Sequence, residues 1–166
     1  MYRPILICIL ALLSCTKAPD PVEILPDPPQ EKPGDNSGNN GNNDTPMPTE
    51  IKITVSGKSL PVIIEDNAAT KALVAALREA PITYEADDYG GFEKVGALGR
   101  SLPTGNSQIT TQPGDVILYS GNQIVLFYGS NSWSYTRIGK MEYGSLDELK
   151  TFLKAGQGRI TVTLSL

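Results

Sequence analysis

Apolar and polar residues alternate one for one at both ends of the segment from Ile51 to Leu166. Ile51, Ile53 and Val55 are followed by the turn SGKS and then by Leu60, Val62 and Ile64, and the chain closes with Ile160, Val162, Leu164 and Leu166 set between Thr161, Thr163 and Ser165. A period of two sends the apolar side chains of a strand to one face. The first two runs therefore predict a β-hairpin, and the last predicts a half-buried strand that pairs near the start of the same domain. A segment of 116 residues suffices for one compact domain and is too small for two.

Between these ends the pattern changes twice. Asp66 or Asn67 is placed to cap a helix, AATKALVAALREA, in which Ala69, Leu73, Ala76, Leu77 and Ala80 recur at spacings of three and four and Pro81 ends the run. Such a stripe predicts a helix laid on a core. Ile82 to Tyr84 predicts a short strand, and the glycine-rich stretch EADDYGGFEKVGALGRSLPTG that follows predicts irregular chain. After Pro113-Gly114, DVILYSGNQIVLFYG reads as two almost continuously apolar strands about a Ser120–Gln123 turn, as expected where one face meets the core and the other a cap. Ser145 and Glu148 have capping-box spacing and open a short helix with Leu146, Leu149, Phe152 and Leu153 inward and Gly156 as its stop. About eight short strands with two helices predict a mainly β fold, a small closed antiparallel barrel capped by the helices, in which closure hides the strand edges.

The N-terminal part is of a different kind. Arg3 precedes an apolar run, Ile5 to Leu13, that is too short to span a bilayer as a helix and reads as a signal peptide over residues 1–15. Its end, Leu12-Leu13-Ser14-Cys15, resembles the lipobox of bacterial lipoproteins, which implies acylation of Cys15 and an anchor in membrane lipid. The plainer alternative is an ordinary signal peptide that ends near a cysteine. Residues 16–50 are rich in Pro, Gly and Asn and poor in large apolar side chains, so they predict a flexible tether. From Cys15 to Glu50 the net charge is −5, whereas residues 51–166 carry eleven bases and eleven acids. The tether holds the negative charge, and a neutral domain lacks the footprint of a nucleic-acid binder.

The cysteines are Cys8 and Cys15, and there is no histidine. Disulfides, thiol catalysis, histidine triads and histidine-based zinc sites are thereby excluded from residues 16–166. No metal or cofactor is expected.

The order of hairpin, EDNAATKALVAAL helix, PGDVILYSGNQIVLFYG, WSYTRIGKME and a final helix and strand resembles the bacterial cyclophilin-like domain family over Ile51 to Leu166. Asp66-Asn67, Gly114-Asp115, Phe127-Tyr128-Gly129 and Ile138-Gly139-Lys140 carry the resemblance most specifically. It implies a small barrel of cyclophilin type; it does not by itself imply prolyl isomerisation. Full cyclophilins hold a proline ring and polarise its amide with an arginine, phenylalanines, a glutamine, a tryptophan and a histidine. This chain lacks the Phe-His-Arg motif and offers no match around Arg100 or Arg137, so no catalytic residue is carried over.

Candidate binding residues come from a loop and from the segment FYGSNSWSYTRIGK. Arg100, between GALG and SLP, is placed to aim a guanidinium into a groove beside the barrel; its plainer role is a surface pair with an acid such as Glu93. Trp133 and Tyr135, two apart, point to one face of an extended chain, while Phe127 and Tyr128 point to opposite faces. Aromatic rings displayed among Ser and Asn suit stacking on a sugar, a proline ring or a peptide; the plainer reading makes Phe127 core and Trp133 the cover of a barrel end. Glu85, Asp87 and Asp88 lack the spacing of a calcium loop, and Gly90, Gly91, Gly96 and Gly99 fit neither phosphate-loop pattern.

The reading that unites these features is a monomeric, non-catalytic binding or accessory module of the bacterial cell envelope, on the periplasmic side or the outer-membrane surface. Membrane lipid is reached through Cys15, and a peptide or glycan through Arg100, Phe127, Tyr128, Trp133 and Tyr135. The alternatives are a weak peptidyl-prolyl isomerase acting on exported chains and a carbohydrate-associated surface lipoprotein.

Overall fold

The computed structural model describes residues 46–166. The residues expected to form a signal peptide and lipobox, with Cys15, and those expected to form a tether as far as residue 45 lie outside the described residues. Strand β1 (Glu50–Val55) turns at Ser56-Gly57, both with positive φ, into β2 (Lys58–Ile64). Two successive positive φ values are what a two-residue hairpin turn of the right twist requires.

Asn67 then caps α1 (Ala68–Glu79): its Oδ1 accepts from the Thr70 amide at 3.0 Å. Its Nδ2 donates to the Arg137 carbonyl at 2.8 Å, which fixes the start of the helix to a strand far along the chain. Leu73, Val74 and Leu77 are buried against the core, whereas Ala80, expected on the same stripe, is exposed in the extended C-cap.

Two further hairpins build the opposite wall. β3 (Ile82–Tyr89) and β4 (Glu93–Ala97) join across Gly90-Gly91, and β6 (Asp115–Tyr119) and β7 (Gln123–Phe127) join across Ser120 to Asn122. The expected irregular chain after Tyr84 is therefore in large part a hairpin. Its strands escape a periodicity reading because Asp88, Glu93 and Lys94 occupy strand positions that burial normally reserves for apolar residues.

A short strand, β5 (Ser107–Thr110), precedes that second hairpin, and the long β8 (Ser132–Met141), α2 (Leu146–Phe152) and β9 (Ile160–Ser165) complete the chain. In α2 the Ser145 Oγ accepts from the Glu148 amide at 3.2 Å, and the Glu148 carboxylate accepts from the Gly144 amide at 2.7 Å. Leu149, Phe152 and Leu153 are buried, but Leu146 is 42% exposed because it sits on the outward side of the first turn.

Around the barrel the strands run β2-β1-β9-β3-β4-β7-β6-β8 and back to β2, all antiparallel, with β5 added to the outer half of β8. The closed, mainly β barrel with two helices expected from the pattern is what forms. β9 pairs with β1 on one side and β3 on the other, as the terminal alternation required of a strand near the start of the domain.

Strand β8 makes the closure. Ser132 to Tyr135 pair with β5, whereas Gly139 to Met141 pair with β2, and a bulge opposite Val116 and Ile117 lets the strand change direction between them. At Gly139 a Cβ would meet the Ile63 carbonyl oxygen at 2.2 Å and the Ile64 Cα at 2.9 Å. Only a residue without a side chain lets the two strands approach.

The interior is apolar except at one end. There Lys94, fully buried, pairs with Asp88 at 2.8 Å and donates to the Gly158 carbonyl. Asp88 also accepts from the Tyr128 hydroxyl at 2.9 Å and from the Gly156 and Gly158 amides at 3.1 and 2.8 Å. Burial by itself pushes the Asp88 carboxyl up, but the hydrogen bonds from Lys94, the two glycine amides and Tyr128 together hold it at about 2. A buried charge pair is tolerated only when its remaining valences are filled in this way.

Substituting Gly139→Ala is expected to destabilise the domain by about 2 kcal/mol or more, through overpacking at the closing seam. Gly105→Ala, where a Cβ meets nothing within 4 Å, is expected to change stability by less than about 0.5 kcal/mol. Denaturant unfolding of the two variants checks this; equal midpoints would show that the seam does not depend on Gly139.

Candidate functional site

Four strands, β4, β7, β6 and β8, present a second packed face on the outside of the barrel. In β7, Ile124 and Leu126 join the interior core, so Val125 and Phe127 must point outward. There they meet Ile117 of β6 and Tyr135 of β8, with Phe92, Val95 and Ile109 against them. The expectation that β6 and β7 are buried on both faces holds, but the outer cover is this side-chain cluster rather than a helix.

The aromatic rings of the cluster lock one another. Phe92 stacks on Phe127 at 6.3 Å, Phe127 meets Tyr135 edge-on at 5.9 Å, and Tyr135 meets Tyr119 edge-on at 6.0 Å. The Asn131 side-chain amide donates to the Tyr135 hydroxyl at 3.0 Å, while its own oxygen accepts from the Ser132 amide. Burial, foremost, raises the Tyr135 hydroxyl above its ordinary range, so it stays neutral.

Beside this ring ladder lies a groove of about 510 Å³, within the range of small-ligand sites. Val95 and Val125 supply its apolar base, and Tyr89, Tyr119, Trp133 and Tyr135 its aromatic walls. Tyr135 is buried, but Trp133 is 57% and Tyr89 67% exposed, so two large rings stand in solvent at the rim. Exposed aromatics of this size beside a pocket mark binding surfaces.

Glu93 is the unusual member of the groove. In β4 it stands opposite both Tyr89 and Phe127, which sets its side chain on the outer face. It is only 5% exposed, and its Oε2 is buried without a hydrogen-bond partner. No ion pair among the described residues includes it, and no Lys or Arg lines the groove. Burial without compensation pushes its carboxyl from an ordinary 4.5 up to about 7.

Of the residues singled out in the sequence, Trp133 and Tyr135 line the groove together, as their spacing of two predicts. Phe127 lies directly beneath, in contact with Tyr135. Tyr128 is turned to the opposite face, where it serves Asp88 in the barrel end, and burial followed by that carboxylate pushes its hydroxyl up to about 12. Arg100 is an exposed residue after β4 that lines neither this groove nor a second cleft beside α1. Arg137 belongs to that second cleft and is held by Asp115 and Glu65, at 3.4 and 3.6 Å. Glu85, Asp87 and Asp88 do not act as a set: they bind Thr161, Arg159 and Lys94 separately. Tyr89, Tyr119 and Asn131 went unmarked in the sequence, and Glu93 was considered only as a surface partner of Arg100, with which it forms no ion pair; only the order of strands around the barrel brings the four together.

Chemically, the groove has room for an apolar or ring-shaped body set against aromatic walls beside one buried carboxyl. An eight-stranded closed barrel carrying such a groove falls within the class of small barrel-borne domains. The chain belongs to the cyclophilin-like family, whose model matches residues 53–165. It is also similar in structure to a hypothetical protein from Archaeoglobus fulgidus solved in solution, at 16% identity and a TM-score of 0.48, over 70% of this chain and 93% of the other. No curated protein sequence matches the chain.

The two perturbed carboxyls act on stability in opposite senses. Glu93 resists ionisation only in the folded chain, so stability is lost as pH rises from 4.5 through about 7. Asp88 is held down in the folded chain, and its contribution is lost as pH falls from 3.8 through about 2. Greatest stability is therefore expected at about pH 4 to 5. Glu93→Gln is expected to raise stability by about 2 kcal/mol at about pH 8 and to leave it unchanged at about pH 4. Thermal unfolding across this range checks it; a variant that tracks the parent at every pH would contradict an uncompensated Glu93.

Proposed function

We propose that this cyclophilin-like domain is a non-catalytic binding module of the bacterial cell envelope, anchored in lipid through Cys15 and taking its ligand in the outer groove. The observation that carries this reading is the groove itself: exposed Trp133 and Tyr89 stand over a rigid aromatic wall beside a carboxyl that the fold leaves unpaired. A catalytic reading as a prolyl isomerase draws less support. The arginine that the cyclophilin resemblance would ask for has no counterpart among the groove residues.

Trp133 is the sole tryptophan of the chain, so its emission reports on groove occupancy directly. Titrating the full chain with proline-containing peptides and with envelope glycan fragments is expected to shift that emission for at least one class. Tyr135→Ala is expected to weaken the binding about tenfold or more, as measured by calorimetry. Emission unmoved by either class removes the peptide and glycan readings alike. Isomerase activity in a protease-coupled assay would overturn the non-catalytic one.

For the anchor, Cys15→Ala is expected to release the protein from the membrane fraction into the soluble one. Unchanged partition after fractionation counts against lipid attachment at Cys15.

A further inference from the structure

Glu93 is a cost that the fold has no need to bear. A glutamine in the same place would fill the same space without a charge to desolvate, and a valine would match its neighbours on the outer face, Val95 and Val125. The carboxyl forms no ion pair among the described residues and holds no strand, and its buried Oε2 accepts nothing. The contrast with Asp88, a few residues away, is direct. There a carboxylate that is only partly buried is satisfied by a lysine, two backbone amides and a hydroxyl. Buried polar groups left open in this way, inside a cleft, point to a partner that arrives from outside.

The surroundings say what kind of partner. Around Glu93 stand Tyr89, Tyr119, Trp133 and Tyr135, and no cationic side chain lines the groove. Aromatic faces carry negative potential and attract cations, Trp most strongly. Gln123 and Asn131 also line the groove and add neutral hydrogen-bonding groups, but a carboxylate and four such rings offer nothing to an anion. They suit a positive charge spread over apolar substituents, which can give up its hydration cheaply and meet both rings and carboxylate.

From this geometry we infer that the groove binds a compact alkylammonium ion, its charge seated against the Glu93 carboxylate and its alkyl substituents against the Trp133 and tyrosine rings. The inference rests on the groove being the binding site of the domain and names the chemical class of its ligand. Ionised Glu93 then acquires the counter-charge that the protein withholds. The raised carboxyl is consistent with this, since a cation in the groove would favour its ionised form.

The test sets choline against 3,3-dimethylbutan-1-ol, which has the same shape without the charge. Both are titrated into the full chain, followed by Trp133 emission and calorimetry. Choline is expected to bind at least about tenfold tighter than the neutral isostere. Glu93→Gln, a change that keeps the side-chain shape and removes an uncompensated charge, is expected to cut choline's advantage over the isostere by at least about threefold, the remainder coming from the rings' own attraction for cations. ε-Trimethyllysine and phosphocholine, run alongside, separate a modified amino acid from a lipid headgroup as the source of the ion. Equal binding of choline and its isostere to the parent would overturn the cation and leave the groove as a binding site. No binding of choline at tens-of-millimolar concentration would also overturn it, while the peptide and glycan titrations judge the groove separately. A choline advantage of undiminished size in Glu93→Gln would remove Glu93 from the site.

Discussion

The close approach of β8 to β2 at Gly139 is the constraint on which the rest of the structure depends. Without a side chain there, the Ile63 carbonyl and the Gly139 backbone can lie against each other, and the sheet becomes a ring instead of an open strip. An open sheet of this composition would leave two strand edges unpaired. The bulge just before Gly139 serves the same end, because it lets one strand satisfy β2 with its last residues and β5 with its first. Trp133 and Tyr135 lie on that first half. Closure of the barrel and display of the aromatic wall are thus two products of one strand.

The outer face shows why the groove is firm enough to hold a shape. Its rings are arranged in series from Phe92 through Phe127 and Tyr135 to Tyr119, and Asn131 fixes the Tyr135 hydroxyl. A ring ladder with so few free torsions loses little entropy when a ligand covers it. The carboxyl beside it is the reverse case, a group kept in an environment that opposes its charge. In the proposed site the aromatic walls supply area and the acid selectivity; either alone would describe an ordinary patch of surface.

The sequence made much of this fold legible wherever the cause of structure is local. Alternation marked β1, β2 and β9; the capping residues Asn67 and Ser145 marked both helices; and continuous apolar runs marked β6 and β7 as covered on two sides. The β3–β4 hairpin was hidden because its charges are answered only in the folded chain, Asp88 by Lys94 across the hairpin and by the Gly156 and Gly158 amides, and Asp87 by Arg159, while Glu93 is left without a counter-charge. A pattern cannot show a compensation that only the folded chain supplies. The site divides along the same line. Trp133 and Tyr135 share a strand and their common face follows from spacing, but Tyr89, Glu93 and Tyr119 come from β3, β4 and β6 and meet only through barrel order. Arg100, attractive for its charge, stands apart because the loop after β4 is not part of that wall.

That barrel order has a practical meaning for how the domain is held. Counted in either direction around the ring, β1 is four strands from β7, through β9, β3 and β4 or through β2, β8 and β6. β7 runs along the middle of the groove face. A label or crosslinker placed on the exposed Lys52 of β1 therefore sits on the wall opposite the groove and leaves the groove face clear.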